Sequence, residues 1–257
     1  MRLLYNLKMD QHAINQRLSH ITTLWSLVHQ AHAEATSQAM SARDTLMQRY
    51  AGAVHRYLLG ALRDPEAADD LFQEFCLKLL RGDFHRANPE RGRFRDLLKT
   101  AVFHLIVDHQ NRQRKRPLAL DPERDAPAVA AIDIPQSEQD FLRCWREELM
   151  ERTWLALAEL EQRTGQPHHT ILHFRTEQPL LSSADLAAQL GQRLGKTFTI
   201  DAVRQSLHRA REKFTDLLLE EIDQSLEGAT PDRLDQELID LDLWSYCKSA
   251  LERRRSL

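Results

Sequence analysis

The sequence predicts an all-α protein of two small helical domains joined by an extended linker and followed by a C-terminal helical extension. Helix-favouring Leu, Ala, Arg, Glu and Gln predominate, and only 8 Gly and 9 Pro occur in 257 residues. Four prolines (Pro117, Pro122, Pro127 and Pro135) fall within residues 117–137 and prevent a continuous helix there. A chain of this length can hold two domains, so we expect this stretch to separate them.

The proline-rich linker divides the chain into two domains, and the full organisation that we expect has five segments. These are an N-terminal extension (1–20), a first domain (21–116), the linker (117–137), a second domain (138–222) and a C-terminal extension (223–257). The first twenty residues are expected to form a short extra helix.

Apolar residues recur at helical spacing in residues 41–62 and 64–81 of the first domain. Asp64 is placed to cap the second helix, and Pro65 suits its first turn. The expected core positions are Leu46, Tyr50, Val54, Tyr57, Leu58, Ala61, Leu71, Phe75, Cys76 and Leu79.

A third helix, within residues 91–116, carries eight Lys or Arg residues against only Asp96 and Asp108. At 100° per residue, the expected core face consists of Phe94, Leu97, Leu98, Ala101, Val102 and Leu105. Phe103 and Val107 lie nearly opposite, beside Lys99 and other polar residues. Cations can bind phosphates while an aromatic ring stacks on an unpaired base, so this face is typical of single-stranded nucleic-acid binding. The alternative is a helix buried on two sides with a solvated basic end.

The second domain is predicted to contain a long helix, a short helix near residues 169–175 and a helix-turn-helix. The long helix has Phe141, Trp145, Leu149, Trp154, Leu157 and Leu160 on or near one side. Ser182 or Ser183 is expected to cap the next helix, residues 191–195 to form the turn, and Thr199 to cap the last helix. Val203, Leu207, Ala210 and Phe214 are the core positions of that last helix. Its exposed side would enter a DNA major groove.

Several other classes of protein are not indicated. No apolar run is long enough to span a membrane, and no signal peptide is apparent at the N-terminus. The three cysteines lie far apart, without metal-binding spacing, which favours a reducing cytoplasm. His169 and His173 could share a metal, but no third ligand is near. Phosphate loops and nucleophile motifs are also missing, so we expect no catalysis, cofactor, metal or membrane partner.

Four segments of the chain resemble the bacterial extracytoplasmic-function (ECF, group IV) sigma factors of RNA polymerase, closest to the planctomycete-type branch. They are TTLWSLVHQAH (22–32), EAADDLFQEFCLKLL (66–80), NPERGRFRDLL (88–98) and DAVRQSLHRAREKF (201–214). The similarity covers roughly residues 20–222, and DDLFQEF followed by PERGRF is its more specific part. The resemblance implies a sigma region 2 bundle and a region 4 helix-turn-helix, and a promoter-specificity subunit without catalysis.

The resemblance also implies that the chain binds core RNA polymerase at the β′ clamp helices and the β flap. The implied docking residues are Asp69, Asp70, Gln73 and Glu74. Ala67 stands where family members often carry another acid. The alternative is that these acids serve only the dipole of their own helix.

Promoter DNA is the second implied partner, as duplex and as single strand. The residues implied at the −10 element are Phe84, His85, Arg91, Arg93, Lys99, Phe103, His104, Gln110, Asn111, Arg112 and Arg114. Those from 84 to 93 would trap a flipped base, and the rest would hold the melted non-template strand. His104 stands where many relatives have Asn. The residues implied at the −35 element are Thr199, Asp201, Arg204, Gln205, His208, Arg209 and Arg211.

Two rival functions stay open: a helix-turn-helix regulator that binds duplex DNA without polymerase, and a sigma-like module that binds only proteins. The C-terminal extension is expected either to pack on the second domain or to serve as a regulatory, partner-binding helix. An anti-sigma or other regulatory partner is a further expectation, as is a cytoplasmic, nucleoid-associated location.

Overall fold

A computed structural model describes residues 37–81, 83, 93–115, 134–226 and 230–256. Within these residues there are nine α-helices and no strand, which confirms the all-α fold class. The helices are α1 (Ser37–Leu62), α2 (Pro65–Arg81), α3 (Phe94–Lys115), α4 (Ile134–Thr164), α5 (His168–Glu177), α6 (Ser183–Leu194), α7 (Ile200–Ser225), α8 (Pro231–Asp240) and α9 (Trp244–Arg255). The chain divides into two compact units, and the division falls inside α4, between Trp145 and Arg146.

The first unit contains α1, α2, α3 and the beginning of α4. Its core includes Val54 and Leu58 of α1, Phe75 of α2 and Val102 of α3, all at most 1% exposed. Asp64 caps α2, because its Oδ1 accepts hydrogen bonds from the amides of residues 66 and 67 at 3.1 and 3.3 Å. Most predicted core positions of α1 and α2 are buried, but Ala61 is exposed and Cys76 is half-buried.

The start of α4 corrects the predicted linker. Residues 134–137 are helical rather than extended. Pro135 fits the first turn because amides there have no helical acceptor to lose. Phe141 and Trp145, predicted for the second domain, lie in the first unit, where both are 1% exposed. Periodicity showed that these residues share a helix face, but it cannot show which domain covers that face.

The second unit is built around the helix-turn-helix. Ile171 of α5, Leu186 and Leu190 of α6, and Val203 and Leu207 of α7 form its buried cluster. As predicted for the cap of α6, the Ser182 hydroxyl accepts a hydrogen bond from the amide of residue 185 at 3.2 Å.

The turn predicted at residues 191–195 lies later in the chain, at residues 195–199, because α6 continues to Leu194 and α7 begins at Ile200. The helix ends at Gly195, whose φ of 62° is left-handed and favours glycine. The chain then folds back closely: the Lys196 amide donates to the Gly191 carbonyl at 3.0 Å. A Cβ at Gly191 would lie 2.8 Å from the Lys196 carbonyl oxygen, so the turn has no room for a side chain there.

The described part of the C-terminal extension contains two helices, α8 and α9, where one was expected. The break is at Asp242, which has a left-handed φ of 55°. Around it the amides of Asp242 and Leu243 donate to Ile239 and Leu238 at 3.0 and 2.8 Å, the pattern of a Schellman motif. Periodicity alone did not reveal this stop because Asp, unlike Gly, is a weak signal for it.

Residues 230–256 of the extension belong to the second unit, as expected, whereas Gln224, Ser225 and Leu226, at and just after the end of α7, are grouped with the first unit. Cys247 and Leu251 of α9 are at most 3% exposed. The Arg254 guanidinium donates to Asp223 Oδ2 at 2.6 Å and to the Asp216 carbonyl at 3.1 Å, both on α7. Among the helices described, none combines the length and apolar character that a membrane span needs.

Candidate nucleic-acid interface

Helix α3 buries one face and leaves its basic face accessible. Phe94, Leu98, Val102 and Leu105 are at most 2% exposed, as predicted, and Ile106 joins them. The expected core residues Leu97 and Ala101 are only half-buried. On the opposite side Phe103 and Val107 are half-buried and His104 is exposed. The helix is therefore not fully buried on two sides, and the Phe103 ring keeps accessible surface among polar neighbours.

Two cations of this basic face are held by carboxylates from other helices. Lys99 Nζ lies 2.9 Å from Glu138 Oε1 on α4, and an Arg112 Nη2 lies 3.0 Å from Glu74 Oε2 on α2. The Lys99 side chain is only 28% exposed, whereas that of Arg112 is 60% exposed. Asn111 and Arg114 are exposed, and Gln110 is half-buried. The positive charge of this face is thus partly neutralised by the two carboxylates.

The loop predicted to trap a flipped base is mostly outside the described residues. The predicted residues that fall outside the description are Phe84, His85 and Arg91. Arg93 is described and half-buried, and its carbonyl accepts the amides of Asp96 and Leu97 at 3.0 and 3.3 Å. Arg93 therefore begins the first turn of α3, at the end of that loop.

The residues predicted to bind polymerase lie along α2 but do not share one environment. Asp70 and Gln73 are exposed. Asp69 Oδ1 lies 2.8 Å from His55 Nε2, so this carboxylate has a partner on α1. Glu74 is half-buried and contacts both Arg112 and, at 3.6 Å, Lys78. Glu74 therefore faces α3 rather than the exposed side of α2.

Sequence reasoning missed Leu77, which is 48% exposed on α2. It follows Gln73 by four residues and Asp70 by seven, so the three side chains share one side of the helix. That spacing was the available signal. Leu77 is therefore an exposed apolar side chain beside Asp70 and Gln73, and it is a further candidate contact on that side of α2.

In the second unit, α7 presents the residues predicted at the −35 element. The Thr199 hydroxyl accepts the Ala202 amide at 3.1 Å and so caps the helix. The Arg204 and His208 side chains are 66% and 74% exposed, each beside an acid of the same helix, at 3.7 Å. Asp201, Gln205, Arg209 and Arg211 are also exposed. The structure brings these side chains onto one helix and gives Thr199 a structural role.

The histidines of α5 pack against an aromatic ring. His169 and His173 both meet Trp154 edge-on, at 5.8 and 5.7 Å between ring centroids. Burial, followed by the charge of Lys213, lowers the pKa of His168. Within the described residues no cluster of three or more His, Cys, Asp or Glu side chains could hold a metal.

Comparison with known proteins identifies one domain. Residues 46–116, which include most of α1 and all of α2 and α3, match the family model of Sigma-70 region 2. No curated protein and no solved structure matches the chain. The match supports a sigma-70 family sigma factor with roles in RNA polymerase binding, promoter recognition and promoter melting, and it covers the segment from Leu46 to Arg116, less than half of the chain.

Proposed function

We propose that this chain is an alternative sigma factor of the ECF (group IV) type, similar to the planctomycete branch. It binds core RNA polymerase, reads the −10 and −35 promoter elements and stabilises the melted non-template strand. It would act on the nucleoid in the bacterial cytoplasm without catalysing a reaction. The observation that carries the proposal is the accessible basic and aromatic face of α3, inside the segment that matches Sigma-70 region 2.

The α3 face has the chemistry that a separated strand requires. Lys99, Arg112 and Arg114 can bind phosphates, whose attraction to cations dominates the affinity of such complexes. Phe103 offers a ring on which an unpaired base can stack. The α7 helix supports a second, duplex-binding site, because its exposed Arg204, Gln205 and His208 can reach base edges in a major groove.

The exposed side of α2 supports docking on core polymerase at the β′ clamp helices. Asp70, Gln73 and Leu77 would form the contact, with one acid, one amide and one apolar side chain exposed on the same side of the helix. Leu77→Asp should then weaken the affinity for core polymerase at least tenfold, measured by a labelled-subunit binding assay. Leu155→Asp, at a position that is 66% exposed on α4, is the matched control and should bind normally.

Run-off transcription tests the whole function. The purified chain and core polymerase should initiate from a promoter identified by mapping transcript starts after overexpression. Reversing the charge of Lys99, Arg112 and Arg114 together should abolish promoter opening, while the same change at the exposed Arg143, Arg163 and Lys248 should not. Gln at the first three positions serves as a second variant, because it adds no repulsion to Glu74 or Glu138.

The two rival functions predict different outcomes of these experiments. Tight binding of duplex DNA by the chain alone, with no initiation in the presence of core enzyme, would support a helix-turn-helix regulator. Full promoter opening by the variant with all three α3 charges reversed would favour a protein-binding module and contradict the proposal.

A further inference from the structure

Residues 134–145, the N-terminal segment of α4, form part of the first unit although they follow the segment that matches the family model. The Trp145 ring stacks on Tyr50 of α1 at 5.1 Å with an interplanar angle of 5°. Phe141 meets Tyr57 edge-on at 5.3 Å, and the Tyr57 hydroxyl is hydrogen-bonded to the Ser137 hydroxyl. These buried aromatic contacts anchor the segment on α1.

The anchored segment places Glu138 on Lys99. Glu138 comes one residue after Ser137 and one helical turn before Phe141, and its Oε1 lies 2.9 Å from Lys99 Nζ. Lys99 lies on the basic face of α3. Because the anchors keep Glu138 close, its carboxylate has a high effective concentration at this ammonium.

We propose that Glu138 competes with DNA for Lys99. Its carboxylate occupies the ammonium in the free protein and has to leave when a phosphate of the single strand binds there. The pair is partly exposed, with 28% of the Lys99 and 54% of the Glu138 side chain accessible. A partly exposed pair is weak enough for a phosphate to displace, and it moderates DNA affinity without blocking it. This inference rests on the proposed function, because the competition requires a strand on α3.

The test compares two variants that remove one negative charge from the same helix. Glu138→Gln removes the competitor. Asp140→Asn is the matched control, because Asp140 lies 3.1 Å from Arg143 of its own helix. Binding of fluorescently labelled single-stranded DNA of mixed base sequence is measured by anisotropy, with the full chain assembled on core polymerase.

Glu138→Gln should tighten DNA binding by roughly 1.5- to 5-fold, the range expected for removal of a weak ion pair. Asp140→Asn should have a smaller effect. In the Lys99→Gln background, Glu138→Gln should have no effect on DNA binding, because the ammonium that pairs with Glu138 is absent. Modification of Lys99 by an amine-reactive reagent, followed by mass spectrometry, should be faster in Glu138→Gln.

The outcomes separate this inference from the proposed function. If wild type binds DNA and Glu138→Gln binds equally well or no better than Asp140→Asn, the competition is wrong. Weaker binding by Glu138→Gln would instead show that Glu138 orients Lys99 for DNA, which also overturns the inference. If no variant binds DNA and none initiates transcription, the proposed function fails and the competition fails with it.

Discussion

The two candidate DNA-binding helices obtain their charge environments in different ways. On α3, Lys99 and Arg112 are paired with Glu138 and Glu74, which come from two other helices. On α7, the neighbouring acids of Arg204 and His208 are three and four residues along the same helix. The charge pairs of α3 are therefore set by tertiary packing, whereas those of α7 are within the helix, although Glu212, the acid beside His208, also lies 3.3 Å from Arg253 of α9.

The difference matters for how each surface can be controlled. A pair between separate elements changes when either element moves, so binding at α3 can respond to the packing of α2 and α4. A pair within one helix persists as long as that helix is formed, and it contributes only a few tenths of a kcal/mol. Four predictions test the packing that holds α3 in the first unit and α7 in the second.

The largest effect is expected from Trp145→Ala in the first unit. Loss of a fully buried tryptophan and its stack on Tyr50 should lower the free energy of unfolding by about 3–5 kcal/mol. Hydrogen exchange at α1 and α3 measures the loss. Leu155→Ala, on the exposed side of the same helix, should change the stability by less than about 0.5 kcal/mol. Equal effects of the two variants would mean that the start of α4 does not stabilise the first unit.

Gly191→Ala tests the helix-turn-helix in the second unit. A methyl group 2.8 Å from the Lys196 carbonyl oxygen forces the turn apart, so the stability of the second unit should fall by about 1–3 kcal/mol. Urea denaturation measures this change. The control is Gly60→Ala, whose Cβ would meet nothing within 4 Å inside α1. It should instead raise stability by about 0.5–1 kcal/mol, and a stabilising Gly191→Ala would contradict the close turn.

Cys247 should make the stability of the second unit depend on alkaline pH. Burial raises the pKa of its thiol to about 12, from an ordinary value of 9.0. A folded-state pKa above the unfolded one gives stability that is complete below pH 9.0 and is lost as the pH rises toward about 12. The loss should approach about 1.4 kcal/mol per pH unit.

Denaturation between about pH 8 and about pH 11 measures this slope. Cys247→Ala should remove most of it, whereas Cys76→Ala, at a half-buried position of the first unit, should leave the second unit's slope unchanged. If the stability of wild type and of Cys247→Ala falls equally with pH, the pKa of this thiol is not raised by burial.

The smallest effect concerns the start of α7. Thr199→Ala removes the hydroxyl that accepts the Ala202 amide and should lower the stability of the second unit by about 1 kcal/mol. Thr199→Ser keeps the oxygen and should be nearly neutral. Thermal denaturation followed by circular dichroism separates the two. If Ala and Ser destabilise equally, the cap is not what stabilises this helix.

Sequence alone predicted the local features of the fold. Asp64, Ser182 and Thr199 cap their helices as expected, because a cap depends on residues two or three positions away. The apolar spacing of α7 likewise identified Val203, Leu207, Ala210 and Phe214, all of which are buried.

The sequence did not predict features that depend on contacts between distant parts of the chain, or a helix end that no Gly or Pro marks. Ala61 has core spacing yet is exposed, because none of the helices that the structure describes covers it. Asp242 divides the C-terminal extension in a conformation that periodicity does not report. The pairing of Glu74 with Arg112, at 3.0 Å, was also not foreseen, because the spacing of residues within α2 does not report contacts with α3.

The sequence by itself determined the helical class, the helix-turn-helix and the concentration of positive charge on α3. These features depend on residues within about four positions of one another, so they follow directly from the spacing of residues in the sequence. Only the tertiary structure decided that Glu138 and Glu74 reach Lys99 and Arg112, across 39 and 38 positions of sequence. The reason is physical: helical periodicity fixes which side chains share a face, while packing between helices decides what that face meets.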